Sequence, residues 1–238
     1  MMPAHERTRG TVPVEALHDE LHPPRYARRC LSIVRRHAAA GLLIDVGSST
    51  NPFPNLAEKA GFDVTVLDHL LPPGLSPSIR FREGGIRDEG VLAQLEGVFD
   101  VVTAWGVIEH LPEPKVPARA LSRLCRPGGR LFLSTPEVGT FLTRHVIGRS
   151  TRVHRPEPLY LQSPRTVAQV FEQQGCRLVT WGRLEPNALR HAARYASGLA
   201  QTLGGLAVKA VLPSAWQALR NGRHNRFKGI VYFVLERR

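Results

Sequence analysis

Unbroken apolar runs separated by amphipathic stretches dominate the middle of this chain. Leu42, Leu43, Ile44 and Val46 surround a single acid, Asp45, the pattern of a parallel strand covered on both faces. Gly47, Ser48 and Ser49 follow as a turn of small residues, and a short helical stretch around Leu56–Ala60 ends at Gly61. Val64–Leu67 is the next strand, with Asp68 at its carboxyl end, 21 positions after Gly47. Ile79–Arg82 reads as a third strand. Asp88 caps a helix over Glu89–Leu95. Phe99–Ala104 is a fourth strand. A helix closes over Leu121–Cys125, and Arg126-Pro127-Gly128-Gly129 turns the chain into a fifth strand, Arg130–Thr135. Ser163 as N-cap and Pro164 in the first turn start a helix whose apolar face is Val167, Val170 and Phe171 and which Gly175 ends. Arg177–Trp181 and Ile230–Leu235 supply the last two strands. Strand alternating with helix predicts an α/β fold built on a mostly parallel sheet with helices on both faces. Ahead of it, Pro23-Pro24 divides two helices, Val14–Leu21 and Arg25–Ala40, the second with a core stripe of Leu31, Val34 and Ala38. Residues 1–13 are expected to be disordered.

A tight turn at one strand tip and a carboxylate at the next form the layout of a nucleotide-binding βαβ unit. The dinucleotide fingerprint does not fit, because Ser49 and Pro52 stand where its later glycines belong. The stretch resembles instead the first motif of class I S-adenosylmethionine-dependent methyltransferases, commonly D-x-G-x-G-x-G. Asp45 and Gly47 match it, and Ser49 and Asn51 take the later glycine places. Serine is small enough for close backbone approach, and asparagine tolerates positive φ. Two further segments carry the resemblance. Trp105-Gly106-Val107-Ile108-Glu109-His110-Leu111 is similar to the family's E-H-L segment after the fourth strand. Leu124–Leu133 matches the fifth strand's L-x-P-G-G-x-L-x-L with one extra residue. The likeness covers about residues 40–183 and the final strand, and is strongest to bacterial small-molecule enzymes of the quinone-biosynthesis O-methyltransferase type.

The resemblance implies a Rossmann-like, seven-stranded sheet and S-adenosyl-L-methionine as cofactor, with S-adenosyl-L-homocysteine as product. By the same resemblance the Gly47, Ser48 and Ser49 backbone contacts the methionine part, and Asp45 orients that turn. Asp68 takes the ribose hydroxyls, since an ionised carboxylate offers two acceptor oxygens, with His69 and Leu70 flanking ribose and adenine. Ile86 packs on the adenine face, Arg87 or Asp88 reaches its edge, and Ala104, Trp105 and Gly106 border the sulfonium. Plainer readings stand beside these: Asp45 as an acid satisfying nearby donors, Asp88 as a helix cap, Trp105 as a core aromatic. His110 and His154 are the candidate general bases, against structural roles at a helix start and in a proline-stiffened loop. That loop, Arg152–Tyr160, resembles the family's substrate-facing H-x-x-P-E segment, with Tyr160 as a possible anchor and Arg152 and Arg155 as anion contacts. The family's E-x-x-E-H arrangement can hold a divalent ion, but Gly106 occupies its first position here, so no metal is expected.

Residues 136–162 are expected to be a substrate-facing loop and 184–228 a helical cap with helices at Asn187–Leu203 and Leu206–Leu219, placed on a core of 41–183 and 229–238 after an N-terminal helical segment, 1–40. The net charge of +12 lies entirely beyond residue 143. A solvated face explains it, as does a rim for an anionic acceptor, a membrane surface met through 187–228, or nucleic acid. RNA is disfavoured, because the chain lacks the [DN]-P-P-[YF] motif, a Pro-Cys nucleophile and aromatics interleaved with its arginines. The expected partner is a small-molecule acceptor, with monomer and homodimer both open, and a non-catalytic cofactor-binding scaffold is the other alternative. Three scattered cysteines suit a reducing compartment. With neither a signal peptide nor a long apolar run in the sequence, the expectation is a cytoplasmic protein.

Overall fold

The computed structural model describes residues 24–111, 113–136, 163–184 and 230–238. The first 23 residues of the expected segment 1–40, with the helix Val14–Leu21, the loop 136–162 with His154 and Tyr160, and the insertion 184–228 fall wholly or almost wholly outside the described residues. The described elements are α1 (Pro24–Val34), β1 (Gly41–Val46), α2 (Phe53–Lys59), β2 (Phe62–Asp68), β3 (Arg80–Glu83), α3 (Glu89–Leu95), β4 (Phe99–Trp105), a 3-10 turn at Ile108–His110, α4 (Lys115–Leu124), β5 (Cys125–Pro136), α5 (Pro164–Glu172), β6 (Cys176–Leu184) and β7 (Ile230–Arg237). They form one seven-stranded sheet in the order β3-β2-β1-β4-β5-β7-β6. β7 runs antiparallel to both neighbours and the other pairings are parallel. Strand order reverses between β1 and β4, which leaves a crevice outside their carboxyl ends.

Each face of the sheet carries its own core. One holds Ile44, Val102, Ala104, Leu121, Leu133 and Phe171 under α3, α4 and α5. The other holds Leu43, Phe53, Val66, Trp105, Phe132 and Val234 under α1 and α2. That double coverage is why the strands read as unbroken apolar runs. α1 buries Ala27, Cys30, Ile33 and Val34. It stops six residues before the expected end at Ala40. Arg36 and His37 donate to the carbonyls three residues back, which tightens the chain into a turn ahead of Gly41, whose φ is 128°.

The cap predictions hold in detail. The Asp88 side chain accepts from Val91 N–H at 3.1 Å and that of Ser163 from Thr166 N–H at 3.1 Å. The Arg126–Gly129 segment differs from expectation, because it is not a turn ahead of the strand. β5 already pairs at Cys125 with Phe99, and its next pairing is Arg130 with Val101. The intervening residues form a bulge inside β5.

Candidate functional site

Three glycines, each following a strand, shape the carboxyl edge of the sheet. Gly47, Gly84 and Gly106 have φ of 70°, 143° and 73°. Their N–H groups bond to Leu67 O, Asp68 O and Ser134 O respectively at 2.9, 3.0 and 3.2 Å. Each strand tip is thereby tied to its neighbour while the chain turns away. A Cβ on Gly47 would lie 2.8 Å from Val107 Cγ2, so the segment after β4 packs directly on the turn after β1.

Asp45 is 1% exposed and holds that turn from below. Its carboxylate accepts from Ser48 Oγ and Thr103 Oγ1, both at 2.5 Å. Burial pushes its pKa up to about 7, against the pull of these two hydroxyls, and the Asp68 charge adds to the rise. Asp68 sits half-buried at the end of β2. It accepts Ser49 N–H on Oδ2 at 2.8 Å and His69 N–H on Oδ1 at 2.7 Å. These two bonds fix the carboxylate and leave each oxygen a free lone pair.

The positive φ falls on Ser49, at 50°, and not on Asn51. Asn51 is buried and accepts Phe53 N–H at 3.0 Å, which opens α2. Gly85, after β3, also has a local cause: a Cβ there would lie 2.6 Å from His69 Cε1. The imidazole of His69 occupies that space.

Ile86 is buried and Arg87 exposed. Arg87 lies with Arg119 and Arg123 around a cleft of about 180 Å³ between α3 and α4. β4 runs one residue beyond the expected end at Ala104, so Trp105 also lies inside it. The Trp105 indole is 3% exposed and meets Phe53 edge-on, with ring centres 5.5 Å apart. It is a core side chain, so only its backbone borders the crevice. His110, half-buried, ends the 3-10 turn.

Sequence reading passed over Glu109 as a leftover of a metal motif. It is 5% exposed, and burial pushes its pKa up to about 7 while its own backbone N–H and the Thr135 hydroxyl pull it down. Neither Glu109 Oε2 nor Thr135 Oγ1 has a hydrogen-bond partner of good geometry among the described residues. Tyr26 of α1 stands nearby with its hydroxyl 2.7 Å from Ser134 Oγ. The signal available in sequence was an acid in a post-strand segment whose other ligand position is Gly106. Among the described residues no group of three His, Cys, Asp or Glu is placed to hold a metal. None of the described helices is long and apolar enough to cross a membrane.

Two buried carboxyls with raised pKa values predict an unusual stability profile. Between about pH 4 and 7 the folded protein holds more protons on Asp45 and Glu109 than the unfolded chain does. Stability therefore falls as pH rises through that window, by about 1.4 kcal/mol per pH unit for each group, and levels off above it. Carboxyls held low, such as Asp100 under its bonds from Leu42 and Arg126, act below this window. Urea midpoints measured from pH 4.5 to 8 should show the decline in the parent protein and a shallower one in Asp45→Asn.

The geometry has parallels in known proteins. A family model described as "Methyltransferase domain" matches residues 19–180. A ubiquinone biosynthesis O-methyltransferase of Xanthomonas oryzae pv. oryzae is 34% identical over 111 residues, 42% of this chain and 45% of the relative. The chain thus spans about half the length of such curated relatives. A protein of the same name from Chromobacterium violaceum is 28% identical over 194 residues, 76% of this chain and 75% of its own. Among solved structures, the Burkholderia thailandensis 1,6-didemethyltoxoflavin-N1-methyltransferase, with bound 1,6-didemethyltoxoflavin and S-adenosylhomocysteine, superposes with a TM-score of 0.60 at 15% identity, over 94% of this chain and 81% of that one. The likeness to that structure establishes the fold, and the match over residues 19–180 establishes membership: this chain belongs to the methyltransferase domain family.

Proposed function

We propose that this chain is an S-adenosylmethionine-dependent methyltransferase that acts on a small molecule, most naturally on an oxygen. The observation that carries this reading is the Asp68 carboxylate, held by Ser49 N–H and His69 N–H beside the Gly47 turn. Its residues fit the cofactor. Asp68 retains acceptor capacity for two ribose hydroxyls. Gly47 and Ser49 bring bare backbone to the crevice through their positive φ. Asp45 and Ser48 hold the turn rigid from beneath. His69 and Ile86 flank the base, Arg87 reaches its edge, and the backbone from Ala104 through Trp105 to Gly106 closes the other side.

When bound, S-adenosylmethionine supplies a methyl group on a cationic sulfur, already activated for in-line attack. The protein's work is then positioning and exclusion of water. The carboxyl-edge loops of an open sheet build such sites, and residues 136–162 and 184–228 follow β5 and β6, where they would serve as substrate loop and cap. His110 and His154 are proposed at the acceptor. The names of the relatives, with O-methylation in quinone biosynthesis, support a hydroxylated acceptor.

Calorimetric titration with S-adenosylmethionine and S-adenosylhomocysteine tests the reading, followed by mass spectrometry of phenol, carboxylate and amine panels incubated with methyl-labelled cofactor. Micromolar binding of both and label on a small acceptor are expected. Absence of binding to either ligand would overturn it.

A further inference from the structure

We infer that Glu109, positioned with Thr135, is the group that receives the acceptor's hydroxyl proton. This rests on the methyltransferase reading above. Glu109 lies on the turn immediately after β4 and Thr135 near the carboxyl end of β5, the edge where the crevice opens. Val107, two residues earlier, packs against Gly47, so the segment that carries Glu109 adjoins the turn after β1.

Both groups are nearly fully buried, and although the Thr135 hydroxyl lies close enough to pull the Glu109 pKa down, neither Glu109 Oε2 nor Thr135 Oγ1 has a partner of good geometry among the described residues. A buried polar atom left unpaired is costly, and native proteins leave few of them. An apolar pair of equal volume would serve the core better. Unmet hydrogen-bonding capacity at a strand tip beside a ligand crevice is accounted for by a ligand that supplies it. The neighbouring polar groups are already engaged: Tyr26 with Ser134, and Asp45 with Ser48 and Thr103. An acceptor's hydroxyl can donate to Glu109 Oε2 and accept from Thr135 Oγ1 at once.

The chemistry then selects the class of acceptor. Tyr26 of α1 is the ionisable side chain that senses the Glu109 charge, His110 is its neighbour in sequence, and among the described residues no cation lowers the Glu109 pKa. Its carboxyl is therefore a base of near-neutral strength, matched to a phenolic or enolic hydroxyl and too weak for an aliphatic alcohol. As the acceptor oxygen attacks, its O–H bond breaks and the proton passes to Glu109 Oε2. The oxygen's electron pair forms the new O–CH3 bond. The pair of the broken S–CH3 bond stays on sulfur as a neutral thioether, and Glu109 later gives its proton to water.

The test compares the parent protein, Glu109→Gln and Thr135→Val, with catechol and 4-nitrophenol as probes. The second phenol is far more acidic and is mostly ionised at pH 8, where it needs no base. Glu109→Gln should lower kcat for catechol by about 10²–10⁴-fold and far less for 4-nitrophenol, and should abolish the rise of kcat through neutral pH. Its affinity for S-adenosylhomocysteine should stay within about twofold, and its thermal midpoint at pH 8 should match or exceed the parent's, because no buried charge remains. Thr135→Val should raise KM more than it lowers kcat. Equal losses for both phenols, an unchanged catechol rate, or a lower thermal midpoint at every pH would each overturn the inference. So would a parent protein that binds S-adenosylhomocysteine but methylates neither phenol. Failure of the parent to bind S-adenosylhomocysteine would instead strike the methyltransferase reading itself.

Discussion

Asp68→Ala should weaken S-adenosylmethionine and S-adenosylhomocysteine binding by more than about 100-fold while leaving the fold nearly as stable as before. The carboxylate would hold two ribose hydroxyls, and hydrogen bonds to a charged group contribute about 1.5–3 kcal/mol each. Losing two removes about 3 kcal/mol or more, which at about 1.4 kcal/mol per tenfold gives the stated factor. The turn suffers as well, since Ser49 N–H and His69 N–H lose the acceptor that fixes them. Folding stability changes little for a specific reason. Ser49 and His69 are exposed and Asp68 only half-buried, so water takes over the freed N–H groups. Asp68→Asn is a sharper probe. It keeps the shape but offers one acceptor oxygen to two backbone donors, and its amide nitrogen must face one of them. An intermediate loss, on the order of tenfold, follows. Calorimetric titration of the three proteins measures this directly. Undiminished affinity in Asp68→Ala would move the ribose site elsewhere.

Asp68 was legible in sequence for the same reason that it is exposed to ligand. It ends an apolar run whose other members must be buried, and a carboxylate at that point has no packing role. The strands β1, β2 and β4 were legible on the same grounds, and so were the caps Asp88 and Ser163, whose chemistry is local. The features left open in sequence depend on what lies across the sheet. Trp105 and Gly106 are adjacent in sequence, yet the strand's alternation sends the Trp105 side chain into the core against Phe53. Glu109 and His110 read as the remainder of a three-position metal motif because sequence shows which groups are present and not which are left unpaired. The insertion of β7 between β5 and β6 was also hidden, because a strand's direction and neighbours follow from the whole sheet and not from its own residues. Asn51 and Ser49 exchanged roles through a detail of the turn: both can occupy positive φ, and the bond from Asn51 to Phe53 N–H settles which one does.

Gly129→Ala should strongly destabilise the far side of the sheet, with a loss at or beyond the upper end of the ~1–3 kcal/mol usual for overpacking. Its Cβ would stand 2.7 Å from Cys125 Sγ and 2.9 Å from both Arg126 O and Asp100 O. A side chain can swing away, but two of these three atoms are backbone, one in β4 and one in the bulge. Neither moves alone. Asp100 accepts Leu42 N–H on Oδ2 at 2.7 Å and Arg126 Nε on Oδ1 at 2.5 Å, so a shift of β4 there pulls on β1 and on the bulge together. The register requires this close approach, because β5 fits its bulge between the pairings at Cys125 and Arg130 while β4 advances only from Phe99 to Val101. The double variant Cys125→Ala/Gly129→Ala removes the sulfur contact alone and should recover only a minor part of the loss. The bulge opens β5, whereas the crevice lies at the carboxyl ends of the strands. Molecules that remain folded should therefore bind S-adenosylhomocysteine within about twofold of the parent. Urea midpoints and calorimetry on the same preparations separate the two effects. A variant as stable as the parent would show that the bulge adjusts freely, and the P-G-G segment would then be a loop that tolerates side chains and not a packed junction of three strands.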